Sequence, residues 1–220
     1  MTLVKICGIK SVQDGVAAAL AGADMLGINF YQPSPRGMTR IEAAVLAAEL
    51  RNRLGDRCPT LVGLMVNEHP DTVNTTCVTC YLDAMQLSGD ESLDDMREIE
   101  VPVFKSVRPQ NVAEALEKAR AFAELGTQNP DLPSVLIDAF NPALYGGTGH
   151  LIDIELAQAV IGQVPRVMIA GGLKPENVGN IVRILRPFAV DVASGVEPNG
   201  RAGVKDHDKM LAFVRAVKEA

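Results

Sequence analysis

Tryptophan is absent from this chain, and aromatic residues together make up only 4% of its 220 positions. A core of any size must therefore be filled by Val, Ile, Leu and Ala. Apolar residues reach 47%, enough for a large core, and aliphatic strands under Ala-rich helices suit a layered α/β fold. Basic residues are also short, 21 Lys and Arg against 27 Asp and Glu, which gives a net charge of −6. That balance disfavours general nucleic-acid or acidic-membrane binding, both of which need a basic face, but a local site can still hold a small anion. No apolar run approaches the length of a membrane span. The opening "MTLVKICGIK" has neither an apolar leader core nor a small-residue cleavage site. The expectation is a soluble cytoplasmic protein. Four cysteines in a chain this long do not make a disulfide scaffold.

What the chain does contain is alternation. Short, mostly apolar, β-prone runs fall at 3–6, 24–30, 60–66, 82–87, 101–106, 134–138, 165–170 and 189–193. Helical patterns lie between and after them, at 11–22, 39–53, 69–77, 90–98, 110–125, 153–161, 175–185 and 204–218. Residues 110–125 carry the clearest helix. Val112, Ala115, Leu116, Ala119, Phe122 and Ala123 recur at helical spacing, with Glu114 and Lys118 paired on the other face. Pro109 and Asn111 are start signals and Gly126 a stop. "DTVNTTCVTC" is less helix-prone because it is rich in β-branched residues. Eight strand–helix units with right-handed crossovers predict a single (β/α)8 barrel domain over residues 1–220. An open doubly wound sheet is the structural alternative. "GTQNPDLP" and "EPNGRAG" read as loops within the domain rather than linkers.

Active sites of such barrels lie at the C-terminal ends of the strands. "VKICGIK" ends the first strand on a thiol, and alternation puts Lys5 and Cys7 on one face. Asp138 ends strand six, Asp191 lies near the end of strand eight, and Arg36 sits in the long loop "YQPSPRGM" after strand two. "IAGGLKPENV" and "VASGVE" follow strands seven and eight, the usual phosphate site of this fold. There Gly171, Gly172, Ser194 and Gly195 allow close backbone approach to an anion in front of helix N-termini.

"KICGIK", "SPR" at 34–36, "LVGLMVNE" at 61–68, "LDAMQLSG" at 82–89, "GGTG" at 146–149, "AGGLKPENV" at 170–178 and "DVASGVE" at 191–197 occur in this order. Together they resemble phosphoribosylanthranilate isomerases over essentially the whole chain. The resemblance implies a metal-free, cofactor-free Amadori rearrangement in tryptophan biosynthesis. N-(5′-phosphoribosyl)anthranilate would become its 1-deoxyribulose isomer. It also implies roles. Cys7 matches the general base acting on ribose C2′, and Asp138 the general acid that protonates the furanose oxygen. Arg36 matches a contact to the anthranilate end and Asp191 a contact to the bridging nitrogen. Gly171, Gly172, Ser194 and Gly195 match the phosphate cradle. Such chemistry needs an aspartate that keeps its proton far above the reference pKa of about 3.9. A thiolate is an adequate base; a free thiol with a pKa of about 8.5 is only a few per cent ionised at pH 7, so a nearby cation such as Lys5 would help. The expected partner is a phosphorylated small molecule, not a nucleic acid or a membrane, and the expected assembly a monomer or homodimer.

Two positions depart from the family pattern. Ser88 stands where histidine is common and Met65 where an aromatic is frequent, and both are expected to line or approach the barrel mouth. Two other functions keep the barrel. One is a related aminoaldose-phosphate isomerase of histidine biosynthesis, whose family pairs aspartates at the ends of strands one and five. Cys7 and Ser106 at those places argue against it. The other is a non-catalytic barrel that binds a phosphorylated ligand, against which the retention of both Cys7 and Asp138 argues. "CVTC", Cys77 to Cys80, lacks a second ligand pair and reads as structural. His69, His150 and His207 read as solvated, and "GDESLDDMREIE" as an exposed acidic helix face.

Overall fold

A computed structural model describes residues 1–139 and 153–220. Its strands are β1 (Leu3–Cys7), β2 (Met25–Asn29), β3 (Thr60–Met65), β4 (Ala84–Leu87), β5 (Val103–Val107), β6 (Val135–Ile137), β7 (Val167–Ile169) and β8 (Ala189–Val192). Helices alternate with them as α1 (Val12–Ala21), α2 (Arg40–Leu54), α3 (Pro70–Thr79), α4 (Leu93–Arg97), α5 (Val112–Leu125), α6 (Ile154–Ile161), α7 (Pro175–Leu185) and α8 (His207–Lys218). All neighbouring strands pair in parallel, and β8 pairs with β1, so the sheet closes into a (β/α)8 barrel. That pairing rules out the open sheet. The "GGTG" motif and His150 lie outside the described residues.

Strand alternation builds two cores. Met25, Val62, Phe104, Leu136, Met168 and Ala189 point inward and fill the barrel. Their neighbours Leu26, Leu61, Val103, Ile137, Val167 and Val190 point outward and meet the helices. Helix ends follow the local chemistry. The Thr39 hydroxyl accepts from the Glu42 N–H while the Glu42 carboxylate accepts from the Thr39 N–H, a capping box at the start of α2. Asn111 caps α5 and Gly126 ends it, and Lys118 reaches Glu114 at 2.7 Å. Residues 70–79 form α3 despite their β-branched content. His69 caps the helix, Pro70 opens it, and Val73, Thr76 and Cys77 are buried against the core. Tertiary burial outweighs the modest propensity penalty.

Four expectations change. Strands four to seven are shorter or shifted: Pro102 and Pro165 cannot donate to a ladder, and Arg166 turns at φ 50°. Asp138 lies one residue beyond β6. Met65 is buried in the layer between strands and helices, because alternation turns Leu64, not Met65, toward the mouth. The acidic run is not one exposed face. Its helix is only α4, and Glu91 is 7% exposed and paired with Lys105 at 3.0 Å. Glu91 also accepts from the N–H groups of Asn67 and Gly89, so it pins the chain between β4 and α4.

Candidate active site

A cavity opens at the C-terminal ends of the strands, and Cys7, Arg36, Asp138, Gly171, Gly172, Asp191, Ser194 and Gly195 all line it. The barrel thus gathers at one mouth residues up to 188 positions apart in sequence.

Cys7 closes β1 with its thiol in the cavity wall, 4% exposed. The facing residue on β2 is Gly27. A Cβ there would stand 2.8 Å from the Cys7 sulfur and 3.0 Å from Lys5 Nζ. Gly27 therefore gives the thiol and the ammonium room to converge. Lys5 is fully buried inside the barrel and donates to Asp191 at 2.9 Å, across the β1–β8 seam. Burial works against its charge, but Asp191 and Cys7 hold its pKa above the ordinary lysine value. Burial pushes the Cys7 thiol up, and Lys5 opposes that rise.

Asp138 is partly buried, and its carboxyl is pushed up to about 7. Loss of solvation is the first cause and the nearby Asp191 carboxylate the second. A group so placed holds a proton near neutral pH and can give it up, as a general acid must.

The glycine turns have steric causes. Gly171 and Gly172 take φ of 103° and 61°, and a Cβ on Gly171 would lie 2.4 Å from that of Ala139. A Cβ on Gly195 would lie 1.9 Å from the Leu173 carbonyl oxygen. The β7–α7 and β8 turns are thus packed together without side chains between them. A 3₁₀ turn (Ser194–Val196) begins at one and α7 behind the other. Left-handed backbone such as that at Gly171 and Gly172, in front of a helix start, is the kind of concavity that can receive an anion.

Arg36 is held edge-on by Glu197. Nε donates at 2.8 Å and Nη2 at 2.7 Å to the two carboxylate oxygens. Gly8, φ 78°, leaves room for the arginine stem, since a Cβ there would stand 2.5 Å from Arg36 Cδ. This is why glycine follows the thiol in "KICG". The polar floor also includes Asn29, Gln86, Ser88, Ser106 and Arg108. Gln86 Nε2 donates to Ser88 Oγ at 3.0 Å, so Ser88 takes part in the mouth as its position implied.

Sequence reasoning missed Glu197 and Lys205, which do not line the cavity but hold Arg36 and the Ala193 carbonyl that do. Glu197 was visible at the end of "DVASGVE", whereas Lys205 sits in a loop with no pattern to mark it. Among the described residues no three His, Cys, Asp or Glu side chains are grouped to hold a metal ion. Cys77 and Cys80 are buried thiols whose sulfurs face the carbonyls of Leu82 and Arg40. His69 caps α3 and His207 meets Asp14, both on the surface.

A thiol and a proton-holding carboxyl lining one cavity at the C-terminal mouth of a closed barrel are the arrangement of a (β/α)8-barrel enzyme. The sequence model of N-(5′-phosphoribosyl)anthranilate (PRA) isomerase matches residues 4–216. The chain belongs to that family. It is 41% identical to N-(5′-phosphoribosyl)anthranilate isomerase of Trichlorobacter lovleyi over the full length of both chains. The crystal structure of phosphoribosyl anthranilate isomerase from Thermotoga maritima is similar throughout both chains, with a TM-score of 0.85 at 31% identity. A structure of a phosphoribosyl anthranilate isomerase in complex with reduced 1-(o-carboxyphenylamino)-1-deoxyribulose 5-phosphate has a TM-score of 0.82, also at 31% identity and over both full chains. No helix among the described residues is long and apolar enough to cross a membrane.

Proposed function

We propose that this chain converts N-(5′-phosphoribosyl)anthranilate into 1-(2-carboxyphenylamino)-1-deoxyribulose 5-phosphate, an aldose–ketose isomerisation of tryptophan biosynthesis. The observation that carries the reading is the pairing of Asp138, poised near pH 7, with Cys7 at one cavity beside the glycine cradle. Asp138 gives its proton to the furanose oxygen as the C1′–O bond breaks, leaving a protonated Schiff base. That cation acidifies C2′–H, and the Cys7 thiolate removes the proton. The electron pair of the C–H bond becomes the C1′–C2′ double bond of an enolamine. Its tautomerisation to the ketone completes the rearrangement, with no net gain or loss of atoms. Lys5 stabilises the thiolate through charge, against the desolvation that opposes it.

Gly171, Gly172, Ser194 and Gly195 are assigned to the phosphate, Asp191 to the bridging nitrogen and Arg36 to the anthranilate carboxylate. One Asp191 oxygen is committed to Lys5, which links the substrate's nitrogen to the base through a single buried ion pair. Free thiols at all four cysteines suit a reducing compartment, and cytoplasmic placement is part of this proposal. The test is turnover of freshly generated phosphoribosylanthranilate, followed as loss of anthranilate-type fluorescence. The aminoaldose phosphate of histidine biosynthesis serves as the comparison substrate. Cys7→Ala and Asp138→Asn are each expected to lose at least about 100-fold in kcat. Either variant keeping more than about a tenth of wild-type kcat would remove its residue from the mechanism.

A further inference from the structure

Arg36 is not a lone loop cation. Glu197 grips its Nε–Nη2 edge, and the same Glu197 Oε1 accepts from Lys205 Nζ at 3.0 Å. Glu197 and Lys205 are each 5% exposed. Lys205 also donates to the Ala193 carbonyl at 2.9 Å, the residue just before the 3₁₀ turn of the proposed phosphate cradle. The loop that carries Lys205 is pressed onto the arginine loop, since a Cβ on Gly203 would stand 2.6 Å from the Pro35 carbonyl oxygen.

We propose that Glu197 and Lys205 are positioning residues forming a buried splint that fixes Arg36 to receive the aromatic carboxylate of the substrate. The proposal rests on the reading that Arg36 meets that carboxylate. Two physical features support it. With its Nε–Nη2 edge clamped, the guanidinium keeps only its outer Nη1–Nη2 edge for an incoming carboxylate, so one orientation is selected before binding. An Arg36–Glu197 pair alone would be neutral and would not attract an anion. Lys205 offsets the charge of Glu197 and leaves the cluster one net positive charge. Burial disfavours the Lys205 ammonium, while Glu197 opposes that effect. The carboxylate of Glu197 is held below its ordinary range despite burial, because Arg36 and Lys205 both bond to it.

Calorimetry provides the test. Two ligands are compared: reduced 1-(o-carboxyphenylamino)-1-deoxyribulose 5-phosphate and its counterpart lacking the ring carboxylate. Inorganic phosphate is the control. Lys205→Met, which removes the offsetting charge, and Glu197→Gln, which leaves the cluster more positive but loosens the clamp that orients Arg36, are each expected to lower the preference for the carboxylated ligand about tenfold. Phosphate affinity is held within about twofold in Glu197→Gln and is the control for that variant, since Lys205→Met also loses the bond to the Ala193 carbonyl. Lys205→Arg, which keeps the charge, is expected to restore most of the preference. An unchanged preference in Glu197→Gln and Lys205→Met, in a protein where Arg36→Met abolishes it, overturns the splint alone. If Arg36→Met itself keeps the preference, the reading of Arg36 fails and the splint fails with it. A uniform loss of affinity for all three ligands in Glu197→Gln marks the pair as purely structural and also overturns the proposal. Glu197→Gln changes one atom, so it decides the matter should Lys205→Met not fold.

Discussion

Asp138 has a measurable consequence apart from turnover. Its carboxyl ionises at about 7 in the folded chain against 3.8 ordinarily. Below pH 3.8 both folded and unfolded chains hold the proton, and this group takes nothing from stability. As pH rises from there through about 7, the unfolded chain releases the proton more readily, so stability falls by on the order of 4 kcal/mol. Asp138→Asn removes that dependence. The variant is expected to be more stable than wild type at pH 8 and equal to it at pH 4, as read by urea unfolding at both values. A constant difference across that range would mean that Asp138 is not buried as an acid. Cys7 provides a second residue-scale test. Its alkylation rate should rise with pH through a midpoint above the ordinary thiol range, because burial outweighs Lys5. Lys5→Met should move that midpoint higher still. A midpoint that stayed in place would show that the ammonium does not act on the thiol.

Among the elements, two turns do different work. The turn after β8 depends on having no side chain at Gly195, where a Cβ would overlap a backbone oxygen of the neighbouring β7–α7 turn. Backbone cannot rotate away as a side chain can. Gly195→Ala should therefore part the two turns and weaken competitive inhibition by inorganic phosphate at least about tenfold. The turn after β4 is held by a buried ion pair instead. Lys105 Nζ meets Glu91, the Gly89 carbonyl and the Ser106 carbonyl, and lies 5.7 Å from the centre of the Phe122 ring. Glu91→Ala strands that ammonium in a buried setting and should cost about 3–5 kcal/mol of stability. Adding Lys105→Met should recover part of the loss. If the double variant is no better than the single, the pair is not the source of the effect.

For the whole molecule the seam between first and last strand is the decisive feature. β8 pairs with β1, and α8 packs on α1 and α7 across that seam. Phe213 of α8 is fully buried there. Phe213→Ala should lower stability by about 3–5 kcal/mol, with fluorescence and circular dichroism still changing together in one transition. Separate early loss of helical signal would show α8 fraying alone, without opening the barrel. The same seam carries the Lys5–Asp191 pair, so closing the barrel and completing the surroundings of Cys7 are one event.

Much of this was already present in the order of residues. Strand and helix alternation, the caps of α5 and the glycine turns are local matters, decided by side-chain periodicity and by which φ a residue tolerates. The eight proposed site residues could be named because strand ends and turns are legible along a chain and because their motifs resemble a family. Closure was not local: an open sheet and a barrel share one hydrophobic pattern and differ only in whether β8 finds β1. Nor did the sequence say that Met65 faces the helices, since a one-residue shift in strand phase reverses every side chain. Glu91 and Glu197 read as charges on polar segments, yet the fold buries both against lysines that are 14 and 8 positions away. Only packing decides whether a charge meets water or a partner, because desolvation and Coulomb attraction depend on distances in space rather than along the chain.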